Sequence, residues 1–514
     1  MNSKRLIRAV AAFAVLGMAA AACGDDSSGS TASTTAAATT KATTAGATTA
    51  AGATTTAGGG GGGFCPNKRD DAIDATEGKG AGWLAWVIEC AKAKPLKATG
   101  DPVVIGFQNP EGDPAGTFPE YQKTAKAAVE WINNELGGVG ADWTTGKPGR
   151  PIKLEVCVMA INPADSTKCA NEIASKKPFA VFSSLNFFGN HFPIYQAAKV
   201  PVFVGTPITV ADFTGQGVFA IGDGGGCVGI HTAMVEWAAL GLKKKRVAVP
   251  WADTPPGVVC YHDLEKKPLN VLSGKTKADA AEFNSVPGLE QVGVAIKPGV
   301  PDVTPQAQQV LDFKPEVIMY SAQGADCWTF VNALGKLGWT PEKIPLVLSG
   351  ACFDLQKQKE AGALAKGVYF IGTRAFGADP TQIATLTGLQ KTVSQFYVDK
   401  TAQYGAKEES TKGFGTAGFK GLMLMYHLLN DHASAQGGAD KLDGAKFTEL
   451  VKVTDTHYTY GGSPLSCSKA PAPYVAVCNA SANVLQWDGA AAKEIQQLPN
   501  PVRLVKGTQI DTGG

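Results

Sequence analysis

Over most of the chain, short apolar runs alternate with stretches in which apolar residues recur at every third or fourth position. Residues 103–107 read Val-Val-Ile-Gly-Phe, an apolar run with the length of a buried strand. The stretch 121–136 carries apolar residues at helical spacing, among them Ala128 and Ile132. A repeated strand–helix alternation of this kind predicts a parallel sheet with helices on both faces.

The alternation occurs in two blocks of similar length, residues 101–222 and 223–351. The predicted strands of these blocks are 103–107, 152–158, 179–182, 200–204, 246–250, 289–296, 316–320 and 346–348. We therefore predict an α/β fold of two doubly wound parallel-sheet lobes. Residues 352–478 are expected to complete mainly the first lobe, and residues 479–514 to form a C-terminal crossing and tail. Ligands of such sheets bind at the carboxyl ends of the strands, which predicts a cleft between the lobes.

Six segments in this order resemble one known family. They are the opening strand with its loop, 128–133 followed by Gly137-Gly138, 180–184, 197–202, 315–320 and 484–489. Together they resemble the type I periplasmic binding proteins of ABC importers, in particular the leucine/isoleucine/valine-binding branch, over roughly residues 102–493. The resemblance implies two lobes joined by a hinge of three chain crossings, expected near 221–226, near 349–354 and after about Gly461. It also implies a monomer that captures a small polar ligand, amino-acid-like or a related metabolite, between the lobes and delivers it to a membrane permease.

The resemblance further implies which residues hold the ligand. In the family, hydroxyls and backbone amides of the first lobe hold a carboxylate, and the second lobe adds an aromatic residue and a carboxylate. The matching positions are Thr117, Phe118, Ser183, Ser184, Asn186, Thr206, Thr209, Trp251, Thr254, Gln323 and Asp326. Asp326 is the residue expected to pair with a ligand ammonium.

The chain departs from the family at two of its tyrosines, which fall on Thr117 and Pro256. An amino-acid-like metabolite is one expectation for the ligand. The other is a flatter or larger molecule held between aromatic walls, for which the sequence offers Trp251, Phe187, Phe188 and Phe376.

The N-terminus has the pattern of an export signal. Lys4, Arg5 and Arg8 precede a short apolar stretch, and four alanines lead into Cys23. This order resembles a bacterial lipobox, in which the cysteine becomes linked to diacylglycerol after the leader, here residues 1–22, is removed. Residues 23–63 are rich in Thr, Ala and Gly, which predicts a disordered tether because such side chains bury little apolar surface. We expect a protein anchored at the outer face of the cytoplasmic membrane.

The cysteine count is 11, an odd number for an exported chain. Lipidation of Cys23 accounts for one, and pairing of neighbours along the chain accounts for the others. The expected disulfides are Cys65–Cys90, Cys157–Cys169, Cys227–Cys260, Cys327–Cys352 and Cys467–Cys478. The first would staple the extension 64–100, which either packs on the first lobe or contacts a partner.

Several functions find no support in the sequence. The formal net charge of +2 gives no basic surplus for nucleic-acid binding. The chain has no GxSxG motif and no clustered CxxC, and His427 and His432 are five residues apart, which does not place them on one helical face. We therefore expect a binding protein without cofactor or metal rather than an enzyme. A ligand sensor that signals to a membrane receptor or regulator through its closed state is the alternative.

Mass spectrometry of protein extracted from membranes tests the anchor. We expect the mature chain to begin at Cys23 and to carry a diacylglycerol on its thiol, because the small residues and the cysteine stand where lipoprotein processing needs them. A Cys23→Ser variant should leave the membrane fraction. A mature native N-terminus without lipid would contradict the assignment.

Overall fold

The computed structural model describes residues 64–505, except 66, 68, 114–115, 276–285, 373–379 and 461–463. The proposed leader, Cys23, the tether and Phe376 lie outside the described residues. None of the helices within the described part of the chain has the length and hydropathy to span a membrane.

The first lobe is built on a parallel sheet of five strands. The strands are β1 Val103–Pro110, β2 Ile152–Met159, β3 Ala180–Ser183, β4 Val202–Val204 and β5 Val218–Ala220. They lie in the order β2-β1-β3-β4-β5. Strands β1 and β3 are inside the sheet and almost wholly buried, which explains their continuous apolar sequence.

Six helices precede or connect these strands. They are α1 Asp74–Glu77, α2 Ala81–Ala93, α3 Pro119–Asn134, α4 Pro163–Ser175, α5 Phe192–Ala197 and α6 Val210–Thr214. Local sequence fixes their starts. Helices α3 and α4 both have proline in the first turn, and the Asn162 side chain caps α4 by accepting a hydrogen bond from the Asp165 N–H at 2.8 Å.

The second lobe has a sheet of seven strands. They are β6 Arg246–Ala252, β7 Glu290–Ile296, β8 Val317–Tyr320, β9 Leu346–Ser349, β10 Tyr369–Gly372, β11 Ala482–Trp487 and β12 Ala492–Leu498. The order is β12-β11-β10-β9-β8-β6-β7. The five strands β6 to β10 are parallel, and β11 and β12 form an antiparallel hairpin beside β10.

The helices of the second lobe surround this sheet. They are α7 Cys227–Glu236, α8 Pro255–Tyr261, α9 Lys267–Leu272, α10 Thr304–Asp312, α11 Ala325–Lys336, α12 Leu355–Ala361 and α13 Pro380–Thr385. With the first lobe, they give the predicted architecture of two α/β lobes, each with a parallel sheet at its centre.

Three further helices, α14 Gly388–Gln403, α15 Gly413–Gln436 and α16 Gly444–Lys452, return to the first lobe. Helix α15 lies against α3 at very short range. A Cβ atom on Gly418 would lie 2.2 Å from the backbone oxygen of Tyr121, so a larger residue would force the two helices apart. The sequence of α15 therefore sets its distance from α3.

The chain crosses between the lobes at three places. The first crossing is residues 221–226, and the third is 478–481, between the bridge of Val477 to Ala220 and the start of β11. The second comes later than the expected 349–354, because β10 pairs with β9 and so still belongs to the second sheet. The chain returns to the first lobe between Leu386, which packs on the second-lobe core, and Leu389, which is buried in the first-lobe core.

The N-terminal extension packs on the first lobe. Leu84, Val87 and Ile88 are fully buried on α2. Trp83 contacts Tyr426 of α15 with ring centroids 5.8 Å apart. Of the two roles left open by the sequence, the structure therefore shows packing on the first lobe.

Five disulfides join neighbouring cysteines along the chain: Cys65–Cys90, Cys157–Cys169, Cys227–Cys260, Cys327–Cys352 and Cys467–Cys478. These are the pairs expected from the sequence. The two cysteines of each pair lie in the same lobe or in the N-terminal extension, so none of the five disulfides connects the two lobe sheets directly.

Thiol titration of the denatured, unreduced protein tests this arrangement. With every cysteine from Cys65 to Cys478 in a disulfide, the native lipoprotein should show no reactive thiol, and a form without the lipid should show one, at Cys23. Two or more reactive thiols per chain would contradict the five pairs.

Candidate ligand-binding cleft

A cavity of about 190 Å³ lies between the lobes, at the carboxyl ends of strands from both sheets. The loop after β4 contributes Gly205 and Thr206. The second lobe contributes the segments after β6, β8 and β9, and the start of α15 closes one side. The cavity lies where parallel α/β sheets generally bind their ligands.

The walls of the cavity are largely apolar. Phe187, Ile208 and Phe414 line it from the first lobe, and Ile230 and Phe353 line it from the second. Such a lining favours a ligand with an apolar body, and the few polar groups would then fix its orientation.

The charged groups of the lining are basic. Among the lining residues within the described chain, Lys412 and His231 can carry a positive charge, and no aspartate or glutamate is present. Glu409, three residues before Lys412, is paired with Lys123, and both Glu409 and the buried Glu120 also interact electrostatically with Lys412 from outside the lining. The first turns of α7 and α15 also line the cavity, and helix N-termini attract anions. Among its described residues, the lining thus offers a ligand a lysine, a histidine and two helix N-termini, but no carboxylate.

A buried polar cluster supports the second-lobe side of the cavity. Nδ1 of His231 lies 3.1 Å from Oε1 of Glu265, a carboxylate without solvent exposure. The Ser321 hydroxyl donates a short hydrogen bond to the same oxygen. Glu265 thus orients His231 and Ser321, which both line the cavity, and does not line it itself.

Cys227 and Cys260 lie beside His231, a grouping that could suggest a metal site. Their sulfur atoms are bonded to each other, so they have no thiolate to offer as ligand. The disulfide instead joins α7 to α8 at the edge of the cavity.

Comparison with protein-family models gives one match, to the family described as periplasmic binding protein, over residues 102–464. The chain belongs to the periplasmic binding protein family. A comparison with curated proteins finds no match.

Solved structures of similar fold are solute-binding proteins. The leucine-binding protein LivK of Thermotoga maritima is 15% identical, with a TM-score of 0.54 over 78% of this chain and 99% of that chain. A solute-binding protein of an ABC transporter from R. palustris, in complex with 4-hydroxybenzoate, is 18% identical, with a TM-score of 0.58 over 78% and 98%. LivJ of Streptococcus pneumoniae, in complex with isoleucine, is 15% identical, with a TM-score of 0.53 over 77% and 99%. At these identities the likeness concerns the fold.

In this periplasmic binding protein, three of the residues that the sequence singled out for the ligand line the cavity: Thr206, Thr254 and Gln323. The Thr206 hydroxyl lies 3.1 Å from that of Tyr121. Thr254 also caps α8, because its hydroxyl accepts a hydrogen bond from the Gly257 N–H at 3.1 Å. Phe187, one of the expected aromatic walls, lines the cavity too.

Ser183, Ser184 and Asn186 are fully buried outside the lining, where they tie the first-lobe loops together. The Ser184 hydroxyl donates to the backbone oxygen of Gln108 at 2.9 Å. The Asn186 amide donates to the Ser166 hydroxyl at 2.9 Å. These polar groups are satisfied within the protein, which explains why they follow a buried strand without facing the cavity.

The remaining five positions also lie outside the lining: Thr117, Phe118, Thr209, Trp251 and Asp326. Thr117 accepts a hydrogen bond from the Gly112 N–H, and Thr209 caps α6. Phe118 packs edge-on against Phe414, and Trp251 stacks on Tyr261 at 5.2 Å.

Asp326 has a partner within its own lobe. Its carboxylate accepts a hydrogen bond from the Gly299 N–H at 3.1 Å, and burial raises its pKa. It does not reach the cavity as an unpaired carboxylate.

Sequence reasoning did not select Lys412, Phe414, Ile230, His231 or Phe353, which also line the cavity. Lys412 and Phe414 flank the start of α15, and a basic residue before a helix usually marks nothing more than a solvated end. The position of that start relative to the cleft follows from the close packing of α15 and α3, which is a tertiary feature.

The pH dependence of stability tests the polar layer below the cleft. His191 is fully buried, 3.4 Å from the Ser183 hydroxyl, and burial lowers its pKa from 6.5 to about 3. The unfolded chain therefore takes up this proton first, and the free energy of unfolding falls as the pH drops below about 6.5. The slope from one such group is about 1.4 kcal/mol per pH unit.

A His191→Gln variant should take up about one proton fewer on unfolding near pH 5, measured by urea denaturation at a series of pH values. Ser183→Ala keeps the buried imidazole and should keep the proton uptake. An unchanged uptake in the His191 variant would show that this imidazole is protonated in the folded protein.

Proposed function

We propose that this protein is the extracytoplasmic, lipid-anchored solute-binding component of an ABC importer. The observation that carries the proposal is the largely apolar cavity between two lobes, at the strand ends of both sheets and beside the chain crossings. The export signal and lipobox pattern before Cys23 support a place at the outer face of the cytoplasmic membrane. The partner is then a membrane permease that recognises the ligand-bound form.

In such a molecule, ligand binding favours closure of the two lobes. The cavity wall includes Thr206 and Lys412 from the first lobe and Thr254 and His231 from the second. A ligand that contacts both sets stabilises the closed arrangement over the open one by the difference in its affinity for the two. The ligand need not be chemically changed for delivery.

We further propose that the ligand is a small carboxylate with an apolar, preferably aromatic, body. Phe187, Phe353 and Phe414 would enclose the body, and Lys412 with the first turn of α15 would hold the carboxylate. The 4-hydroxybenzoate bound by a protein of similar fold is a molecule of this class.

An α-amino acid is the less suitable ligand, because its ammonium would need an acidic partner. The lining residues of the described chain include no acid, and the carboxylates of Glu265 and Asp326 are bonded within the second lobe. Burying an unpaired ammonium in an apolar cavity is costly.

A thermal-shift series tests the ligand class. Benzoate and 4-hydroxybenzoate should raise the melting temperature, because a ligand that binds only the folded state stabilises it. Benzamide, benzylamine and leucine, matched in size, should raise it far less. Equal or larger shifts with leucine would contradict the carboxylate proposal, and no shift with any small metabolite would contradict solute binding itself.

Variants locate the carboxylate. Lys412→Gln should weaken benzoate binding by about tenfold or more, since a charge-assisted contact contributes about 1.5–3 kcal/mol. Lys407→Gln, at an exposed position five residues earlier, is the matched control and should bind normally. Asp326→Asn should also bind benzoate normally, because its carboxylate lies outside the cavity lining and is bonded to the Gly299 N–H. A loss of benzoate affinity in this variant would show that Asp326 takes part in the site.

A further inference from the structure

A second group of polar side chains lies on the first lobe, far from the cleft. His427 and Asp431 are four residues apart on α15, and His457 follows α16. His427 is 10 residues beyond Ala417, where α15 last lines the cavity, so it lies about 15 Å along the helix from the cavity, at 1.5 Å per residue. One nitrogen of each histidine and one oxygen of Asp431 all lie within 4.8 Å of one another.

Both ring nitrogens of His457 lie beside hydrogen-bond acceptors. Its Nδ1 lies 3.0 Å from the backbone oxygen of Tyr458, a contact that requires a proton on Nδ1 because a carbonyl only accepts. Its Nε2 lies 3.0 Å from Oδ2 of Asp431. If the imidazole is neutral, the lone pair of Nε2 then faces the carboxylate oxygen. A nitrogen lone pair and a carboxylate oxygen 3.0 Å apart repel each other unless a proton or a metal ion lies between them.

His427 provides the second observation. Its side chain is fully buried, and neither ring nitrogen has a hydrogen-bond partner. The ring is held in place by stacking on Trp83 at 4.7 Å and by the edge of the His457 ring at 4.4 Å. Gly80 leaves room for it, since a Cβ atom there would lie 2.5 Å from Nε2. A metal ion beside this carboxylate and the second imidazole would bind one of the two unsatisfied nitrogens of His427.

We propose that His427, Asp431 and His457 bind a zinc ion on the first lobe. Two imidazole nitrogens and a carboxylate oxygen are ligands that Zn²⁺ accepts in tetrahedral geometry, with metal–ligand distances of about 2.0–2.2 Å. The hydrogen bond from Nδ1 of His457 to the Tyr458 oxygen is the kind of support that orients a metal-bound histidine. Water supplies the fourth ligand.

The ion has a route to the site. The side chain of Asp431 keeps 38% of its exposure, while His457 is almost buried. Arg69, a cation that acts electrostatically on His427, is itself paired with Asp71 and Asp74. The site would join α15 to the segment around His457 directly under α2, and would thus fasten the N-terminal extension to the lobe.

The test uses the full chain with Cys23→Ser, which removes the thiol outside the five disulfides as a zinc ligand. After treatment with a chelator, calorimetric titration with Zn²⁺ should give one ion per chain and a higher melting temperature. Co²⁺ in place of Zn²⁺ should give the visible absorption of a tetrahedral site. Asp431→Asn, which keeps the size of the side chain, and His457→Gln should each weaken Zn²⁺ binding at least about tenfold.

His262→Gln, which removes an exposed histidine of the other lobe, is the matched control and should bind Zn²⁺ as the parent does. No stoichiometric binding by the parent would overturn the proposal, and His457 and Asp431 would then be joined only by their hydrogen bond. Equal affinity in the parent, Asp431→Asn and His457→Gln would overturn it as well, because the zinc would then be bound elsewhere. His457 is buried, so circular dichroism is used to confirm that both variants are folded before titration.

Discussion

The close contact of α15 with the rest of the first lobe determines where the other parts of the molecule lie. Gly418 allows the backbone of α15 to approach that of α3, and Gly421 allows it to approach the ring of Phe182, where a Cβ atom would lie 2.4 Å away. Protein interiors are too tightly packed to absorb an extra carbon at such contacts. The position of α15 then fixes where its two proposed binding regions lie. Lys412 and Phe414 lie at the cleft, and His427 lies beside α2.

Much of the fold follows from local sequence, because a buried parallel strand has to be apolar and an exported chain tends to pair its cysteines. The apolar run at 103–107 corresponds to the buried start of β1, and the pairs of neighbouring cysteines are those of the structure. The second crossing could not be placed in this way. The run at Tyr369–Gly372 has the composition of an internal strand, and composition does not tell which of two sheets it joins.

The site was harder to read than the fold for a related reason. A hydroxyl or amide after a strand has the same sequence appearance whether it faces a ligand or bonds to its own loop. Thr206 lines the cavity, but Ser184 and Asn186, in the loop after the neighbouring strand, form hydrogen bonds with Gln108 and Ser166. Asp431 illustrates the same limit, because its relation to His457 depends on a contact between residues 26 positions apart.

The disulfide Cys227–Cys260 connects the chain just after the first crossing to the helix that begins at the ligand loop. This covalent bond ties α7 to α8, so the two helices form one rigid unit. His231 on α7 and Thr254 at the start of α8 are therefore held at a fixed spacing from each other at the cavity wall. The second lobe thus presents these two polar groups to a ligand as a single preformed surface, whose shape does not depend on the angle between the lobes.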